Sequence, residues 1–410
     1  MGIFLAEVIR DITIISIGMM PYWLPFVFGF IFWRSWLFYI RARHIARLQW
    51  ITLEIKIPKD IEKTPLAMEV VLNAMHQRGQ ISTFYKKYWL GNLQPWFSLE
   101  MVSIEGRIHF FIHTPSFYKQ IIETQIYAQY PNAAVYEVED YTAKIPYGTS
   151  DSQWELWGGE FKLTKPDPYP IKTYVDYGLD KEGIREEHKT DPMTAVLEYL
   201  GSIGKNEQIW FQILIKQTEP RFPKPGSWFE ERDWKGEAKD LVDKLMKETS
   251  EKSSKRQIES EFKFTQQTKG EEQIISAIER SIAKPGFDCG IRAIYLAKEG
   301  SFNPVNIVGM LGSMRQYSSQ DLNGISPGWL TSIDQPWEDV KDIRLNRMKS
   351  RVFDAYRRRS YFYPPYAHHP FILNTEELAT IYRFPGLVAE TPTLERIESK
   401  RREPPSNLPI

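Results

Sequence analysis

The chain opens on an uncharged, almost wholly apolar run, residues 12–33, reading ITIISIGMMPYWLPFVFGFIFW. Coiled as a helix, a run of this length crosses a hydrocarbon core of about 30 Å. Trp33, Trp36, Phe38 and Tyr39 follow as an aromatic belt around Arg34, whose long side chain can snorkel to the interface. Arg41, Arg43 and Arg47 come next, whereas the other flank offers only Arg10 beside Glu7 and Asp11. The arginine excess places the C-terminal side in the cytoplasm and makes Arg34, Trp36, Arg41, Arg43 and Arg47 the expected lipid-interface residues. A cleaved signal peptide would need a basic start, a shorter apolar run and a small-residue cleavage site, which this sequence lacks. Pro21 and Pro25 leave a helical hairpin as the alternative to a single span.

Beyond the anchor the period changes to two. In ITLEIKI, Ile51, Leu53, Ile55 and Ile57 alternate with polar residues, which predicts a half-buried strand. Thr64-Pro65 opens a helix with Met68, Val71, Leu72 and Met75 on one face. WFSLEMVSI and RIHFFIHT read as two strands joined by a hairpin at Glu105-Gly106. Thr114-Pro115 repeats the helix-start device, Tyr118, Ile122 and Ile126 form the buried stripe, and Pro131 stops the helix before the strand AAVYEVE. The order β-α-β-β-α-β is the ferredoxin-like arrangement.

The pattern from about residue 154 is less regular. Asp191-Pro192 caps a helix with Met193, Val196, Leu197 and Leu200 inward, and EQIWFQILIK is apolar enough on both faces for a central strand. The charged stretch 234–272 predicts an amphipathic helix around Leu241, Val242 and Leu245, then a flexible connector in ETSEKSSKRQIESE. A helix near Ile275 and Ile278, the strand CGIRAIYLA and a helix opened by Asn303-Pro304 suggest a second α/β sandwich, a diverged copy of the first. A basic helix from Trp337 to Arg359 carries Arg344, Arg347, Arg351 and Arg358 along one side, and Asn374 with Glu377 has capping-box spacing. The expected organisation is an α+β protein with five parts. They are an anchor with a basic juxtamembrane segment (1–48), a ferredoxin-like domain (49–145), a second α/β sandwich with a charged helical insertion around 231–270 (150–330), a basic helix with an aromatic loop (335–366), and a short helix with a proline-rich tail (367–410).

Composition narrows the chemistry. The 410 residues hold 52 Lys+Arg and 52 Asp+Glu, so only local basic patches can argue for nucleic acid. Cys289 is the single cysteine, which rules out an internal disulfide and a cysteine zinc site. Gly201-Ser202-Ile203-Gly204-Lys205-Asn206 has the flavour of a phosphate loop, but it lacks the four-residue spacing and the Ser or Thr that holds magnesium. It also lies between a helix and a strand, so it reads as a turn. His109 and His113, four apart on a strand, sit about 13 Å from one another, too far to share a metal. Their face reads as solvated or lightly covered. His368-His369 follow an aromatic loop without a third ligand at useful spacing. The sequence points to no catalytic residue, no cofactor and no metal.

Two stretches carry a resemblance, the first in several pieces. The first is LEIKIPKDIEKTPLAMEVVLNAMH, then FSLEMVSIEGRIHFFIHTP with IYAQYPNAAVYEVEDY, and the second is the tail NTEELATIYRFPG with ETPTLERIESKRREPPSNLP. Together they resemble the non-motor N-terminal region of conjugative DNA-transfer, type IV secretion coupling-type ATPases of the HerA/TraG-like group of candidate-phyla bacteria. The tail resembles the segment those proteins place before their P-loop motor. The resemblance implies a single-pass protein of the bacterial inner membrane with its bulk in the cytoplasm, acting as a non-catalytic adaptor. Its expected partner is a P-loop ATPase motor on a separate chain or in a part of the protein beyond residue 410. Asn374, Glu376, Glu377, Leu378, Phe384 and Pro385 are the expected motor-docking residues. A homo-oligomeric ring is expected by analogy with the motors. The alternative is a DNA-binding membrane module that uses Arg344, Arg347, Arg351 and Arg358.

Overall fold

A computed structural model describes residues 18–57, 63–77, 83–148, 153–180, 191–220, 222–223, 231–259, 269–333 and 339–385, with the single positions 10, 335 and 337. The start of the apolar run and the proline-rich end of the tail lie outside the described residues. The chain divides into two compact units, residues 1–49 with 78–94, and residues 50–77 with 95–410.

The first unit is built on helix α1 (Met20–Arg47). Pro21 sits in its first turn, where a missing N–H costs nothing, and the helix runs on through Pro25. Over the described residues this is one continuous helix without a hairpin, and it is long and apolar enough to cross a membrane. A short helix, α3 (Phe84–Tyr88), belongs to the same unit.

The second unit contains α2 (Leu66–Met75) and one large antiparallel sheet. Its strands are β1 (Trp50–Lys56), β2 (Trp96–Ile104), β3 (Arg107–Pro115), β4 (Ala134–Val138), β5 (Trp154–Leu163), β6 (Glu207–Gln217), β9 (Gly286–Lys298), β10 (Ile325–Leu330) and β11 (Phe371–Asn374). β7 (Phe222–Pro223) and β8 (Glu231–Arg232) make a separate two-stranded ribbon. The order across the sheet is β10-β5-β9-β6-β2-β3-β1-β4. β11 shares an edge of β9 with β5: it pairs Gly286 to Cys289, and β5 takes Ile291 to Lys298.

The remaining helices are α4 (Lys119–Gln129), α5 (Pro192–Gly201), α6 (Trp234–Glu259), α7 (Lys269–Ile282), α8 (Pro304–Ser313), α9 (Ile343–Arg357) and α10 (Thr375–Ile381). Chain order and sheet order together expose a repeat. β1-α2-β2-β3-α4-β4 is laid out as β2-β3-β1-β4, and β5-α5-β6-β9-α8-β10 as β6-β9-β5-β10. The two halves meet where β2 pairs with β6, from Trp96↔Lys216 to Ile104↔Gln208. The sequence-derived boundary near residue 150 therefore falls within a continuous sheet. β2 and β6 are buried along nearly their whole length, and separate domains would leave each as an apolar edge.

Local chemistry explains most elements. Glu105 and Gly106 both take positive φ (53° and 83°), the two-residue turn that matches strand twist. Asp191 and Asn303 accept the N–H groups of Met193 and Val305 and so cap α5 and α8. Thr114 is part of β3, paired with Ile51, and α4 begins only at Lys119, later than the Thr-Pro signal suggests. The expected connector, which begins at residue 248, is instead helical through Glu259.

Alternation along the strands separates two layers. Leu99, Met101, Phe110, Ile112, Phe211, Ile213, Ile291 and Ala293 face one core with helices α2, α4, α5, α8 and α10. Val102, Phe111, Trp210, Ile294 and Leu296 face a second core closed by Tyr141 and by Val352, Phe353 and Tyr356 of α9. α6 and α7 pack together through Trp234, Ala238, Val242, Ile275 and Ile278, over Ile372 of β11.

Candidate functional site

The second face of the sheet carries polar residues at positions where apolar ones would pack. Ser98 and Glu100 of β2, His109 and His113 of β3, Gln212 of β6 and Arg292 of β9 share it with Val102, Phe111, Trp210 and Ile294. Glu100 is fully buried and takes hydrogen bonds from Ser98 Oγ (2.6 Å), Gln212 Nε2 (3.0 Å) and Tyr141 Oη (2.9 Å). Arg359, in the left-handed conformation just after α9 (φ 49°), donates to Glu100 and to Asp140. Burial works against the charged form of Glu100, but the Arg359 charge and hydrogen bond outweigh it and hold the carboxyl below its ordinary value. Burial, then the Arg359 charge, push His113 down to about 3, so the ring is neutral. Its Nδ1 lies 2.9 Å from Thr52 Oγ1, and Trp50 stacks on it at 5.3 Å.

Along β3 this face is lightly covered, as the strand alternation suggested, with Arg107 exposed and His109 and His113 half-buried, but around Phe111 and Glu100 it is fully buried. The difference arises because Tyr141, Tyr356 and Arg359, distant in sequence, fold over it. Ser98, Gln212, Tyr141 and Arg359 all converge on the Glu100 carboxylate, and the evident role of the network is to fasten α9 to the sheet. His109 bonds Glu54 at 2.8 Å and His368 bonds Glu160 at 3.1 Å. Among the described residues no group of three metal-ligating side chains comes together.

On the outer side of α9, Arg344, Arg347, Arg351 and Arg358 are all exposed and form one stripe, as their spacing predicts. Asp339 fixes the start of the helix by accepting the N–H groups of Arg344 (2.9 Å) and Leu345 (2.7 Å). Arg358 Nε reaches Asp354 at 2.8 Å, and Arg351 lies over Tyr366 at 5.8 Å.

The expected docking residues are placed otherwise. Asn374, Glu376, Glu377, Leu378, Phe384 and Pro385 are all buried, so none of them is presented to a partner. The reason is β11, which pairs with β9 and carries α10 into the first core. The capping box forms as the sequence indicates, with Asn374 and Glu377 exchanging two bonds of 2.8 Å. Glu376 meets Arg280 (3.2 Å) and Lys284 (3.0 Å), and Phe384 stands edge-on to Phe110 and Tyr130. Burial, opposed by the backbone N–H groups of Asn374 and Ile171, pushes Glu377 up to about 8. The strand FILN immediately before the capping box was the signal that reading a helix alone passed over.

The phosphate-loop-like stretch is a turn between α5 and β6. Gly204 N–H donates to Glu207 at 2.7 Å, so the chain's own carboxylate occupies the place an anion would take.

In the first unit, Trp36 donates from Nε1 to the Tyr88 carbonyl (3.3 Å), and Arg34 lies over Phe30 at 5.7 Å. Arg43 and Arg47 are exposed and Arg41 is partly buried. The interface residues read from the sequence thus gather at the C-terminal half of α1.

These features define a mixed α/β protein with one N-terminal helix long enough to span a membrane and a large antiparallel sheet. Residues 42–396 match the model of a family described as a domain of unknown function (DUF8128), and the chain belongs to that family. No curated protein matches the chain.

Proposed function

We propose that this protein is a membrane-anchored, non-catalytic adaptor that holds a P-loop ATPase motor of a DNA-transfer or type IV secretion-like system at the cytoplasmic face of the bacterial inner membrane. The observation that carries this reading is the stitching of residues 371–385 into the core beside β9. Whatever follows residue 385 is held at its origin by a rigid platform, as a motor or a motor-binding segment would require. The α1 helix supplies the tether, with Arg41, Arg43 and Arg47 on the side assigned to the cytoplasm. Each half of the sheet has the strand order of a ferredoxin-like unit, which supports a duplicated scaffold with one unit extended by α6 and α7. A homo-oligomeric arrangement around the motor belongs to the same proposal.

The test is purification of the full-length protein from its native membranes in mild detergent, with and without the residues after Pro385. Recovery of a P-loop ATPase that is lost on truncation supports the adaptor. Recovery that is unchanged by truncation removes the tail from the contact, and absence of any ATPase removes the motor.

A second reading rests on the exposed stripe of Arg344, Arg347, Arg351 and Arg358, which could contact the phosphates of a translocated DNA. Replacing all four with glutamine would then weaken DNA binding and flatten its salt dependence. Unchanged binding excludes this surface.

A further inference from the structure

We propose that residues 83–90, α3 with its flanks, form a second membrane contact: an aromatic and basic element lying in the headgroup layer of an anionic bilayer beside α1. This rests on the reading that α1 crosses that bilayer.

The segment reads TFYKKYWL, and the following GNLQ adds no acidic residue. A five-residue helix does not persist alone in water, so something must hold it. Three contacts within the first unit do. Gly91 takes φ +69° and lies so close to α1 that a Cβ there would stand 2.7 Å from the Ile40 carbonyl. Trp33 stacks with Tyr88 at 5.9 Å, and Trp36 meets Trp89 at 5.8 Å while donating to the Tyr88 carbonyl. From Trp33 to Ile40 is only about 10 Å of helix, so α3 is fixed at the level of the aromatic belt.

What the element presents outward is the chemistry of a bilayer interface. Phe84 (73% exposed), Tyr85 (59%), Trp89 (57%) and Leu90 (49%) form an apolar surface unusual for water, with Lys86 and Lys87 between them. Aromatic rings favour the headgroup level, and lysines there are drawn to anionic lipid. Arg34, Arg41, Arg43 and Arg47 add positive charge on the same stretch of α1. The surface continues that of the anchor, which favours lipid over a protein partner as its occupant.

The test uses the full-length protein in phosphatidylglycerol-containing nanodiscs. F84C and L90C variants are labelled with an environment-sensitive fluorophore, and F28C, on the exposed apolar stretch of α1, serves as the control. Cys289 is fully buried and should not compete for label. The expected result is quenching of all three labels by lipid-borne nitroxides and little quenching by aqueous iodide. K86Q/K87Q should then shift the label at 84 towards water, by about fivefold in the ratio of docked to undocked for each lysine, in anionic discs only. Quenching at 28 by lipid but at 84 and 90 by iodide overturns this proposal and leaves the span intact. Labels at 84 and 90 shielded from both quenchers would mean that protein covers the segment, and also overturns it. A label at 28 that lipid does not reach overturns the span, and this proposal falls with it.

Discussion

Arg359 and Glu100 meet as a fork, Nε to Oε1 at 3.0 Å and Nη2 to Oε2 at 3.2 Å, with side chains 2% and 0% exposed. The pair joins the end of α9 to the middle of β2, so it ties the basic helix to the sheet. Removing one partner of a buried pair leaves a charge without compensation and costs about 3–5 kcal/mol. R359M should therefore lower the denaturant midpoint sharply, and R359M/E100L should recover much of the loss. Equal stability of R359M and the unchanged protein would mean that water reaches Glu100.

Acid should act through the same cluster. His113 has a folded-state pKa near 3 against an ordinary value of 6.5, so below about pH 6.5 the unfolded chain binds a proton that the folded chain refuses. Stability from this group is present above that pH and is lost as the pH falls from 6.5 towards 3, by up to about 1.4 kcal/mol per pH unit. Glu100 and Asp140, both held below their ordinary values, add loss of the same sign further into acid. Glu377, pushed up to about 8, works in the opposite direction as pH rises. The decisive quantity is therefore the difference between the unchanged protein and H113Q. Between pH 6.5 and 4 that difference should narrow as the pH falls, and parallel profiles would refute the assignment.

Local signals were legible where one stretch of chain decides the outcome. The Glu105-Gly106 hairpin, the Asp191 and Asn303 caps and the Asn374-Glu377 capping box all follow from neighbouring residues. What the sequence concealed depends on pairing across long separations. Nothing in EQIWFQILIK names WFSLEMVSI as its neighbour, although complete burial of both faces hinted that β6 has strands on each side. The same limit hid the fate of residues 374–385. Glu376 and Glu377 look like surface charge until Arg280, Lys284 and the Ile171 N–H group are brought to them. The arginine stripe was readable because one helix generates it alone.

Two glycines should respond to alanine with opposite sign. At Gly290, on β9, an added Cβ would meet the Tyr361 ring at 2.4 Å. Tyr361 is itself 4% exposed and has little room to retreat, so G290A should cost about 1–3 kcal/mol. Gly312 lies within α8 with nothing near the new methyl group. G312A should stabilise by about 0.5–1 kcal/mol, because alanine restricts the unfolded chain and favours helix. Thermal unfolding of the two variants side by side checks both signs, and a destabilised G312A would contradict the packing around α8.

Two truncations separate scaffold from tail. Ending the chain at Pro370 removes β11 and α10, exposes the β9 edge from Gly286 to Cys289, and strips Leu378, Tyr382 and Phe384 from the first core. Each of those side chains contributes about 1.5–3 kcal/mol on burial, so their combined loss rivals the 5–15 kcal/mol that holds a typical domain together. The shortened protein should be insoluble or readily proteolysed within the sheet. Ending the chain at Pro385 spares every one of these contacts and should leave the denaturant midpoint and protease pattern unchanged. Loss of an associated ATPase by the longer truncation product would then report on the tail itself rather than on a damaged platform. Equal stability of both truncations would mean that β11 and α10 are dispensable to the core, and the fixed exit point on which the adaptor reading depends would be lost.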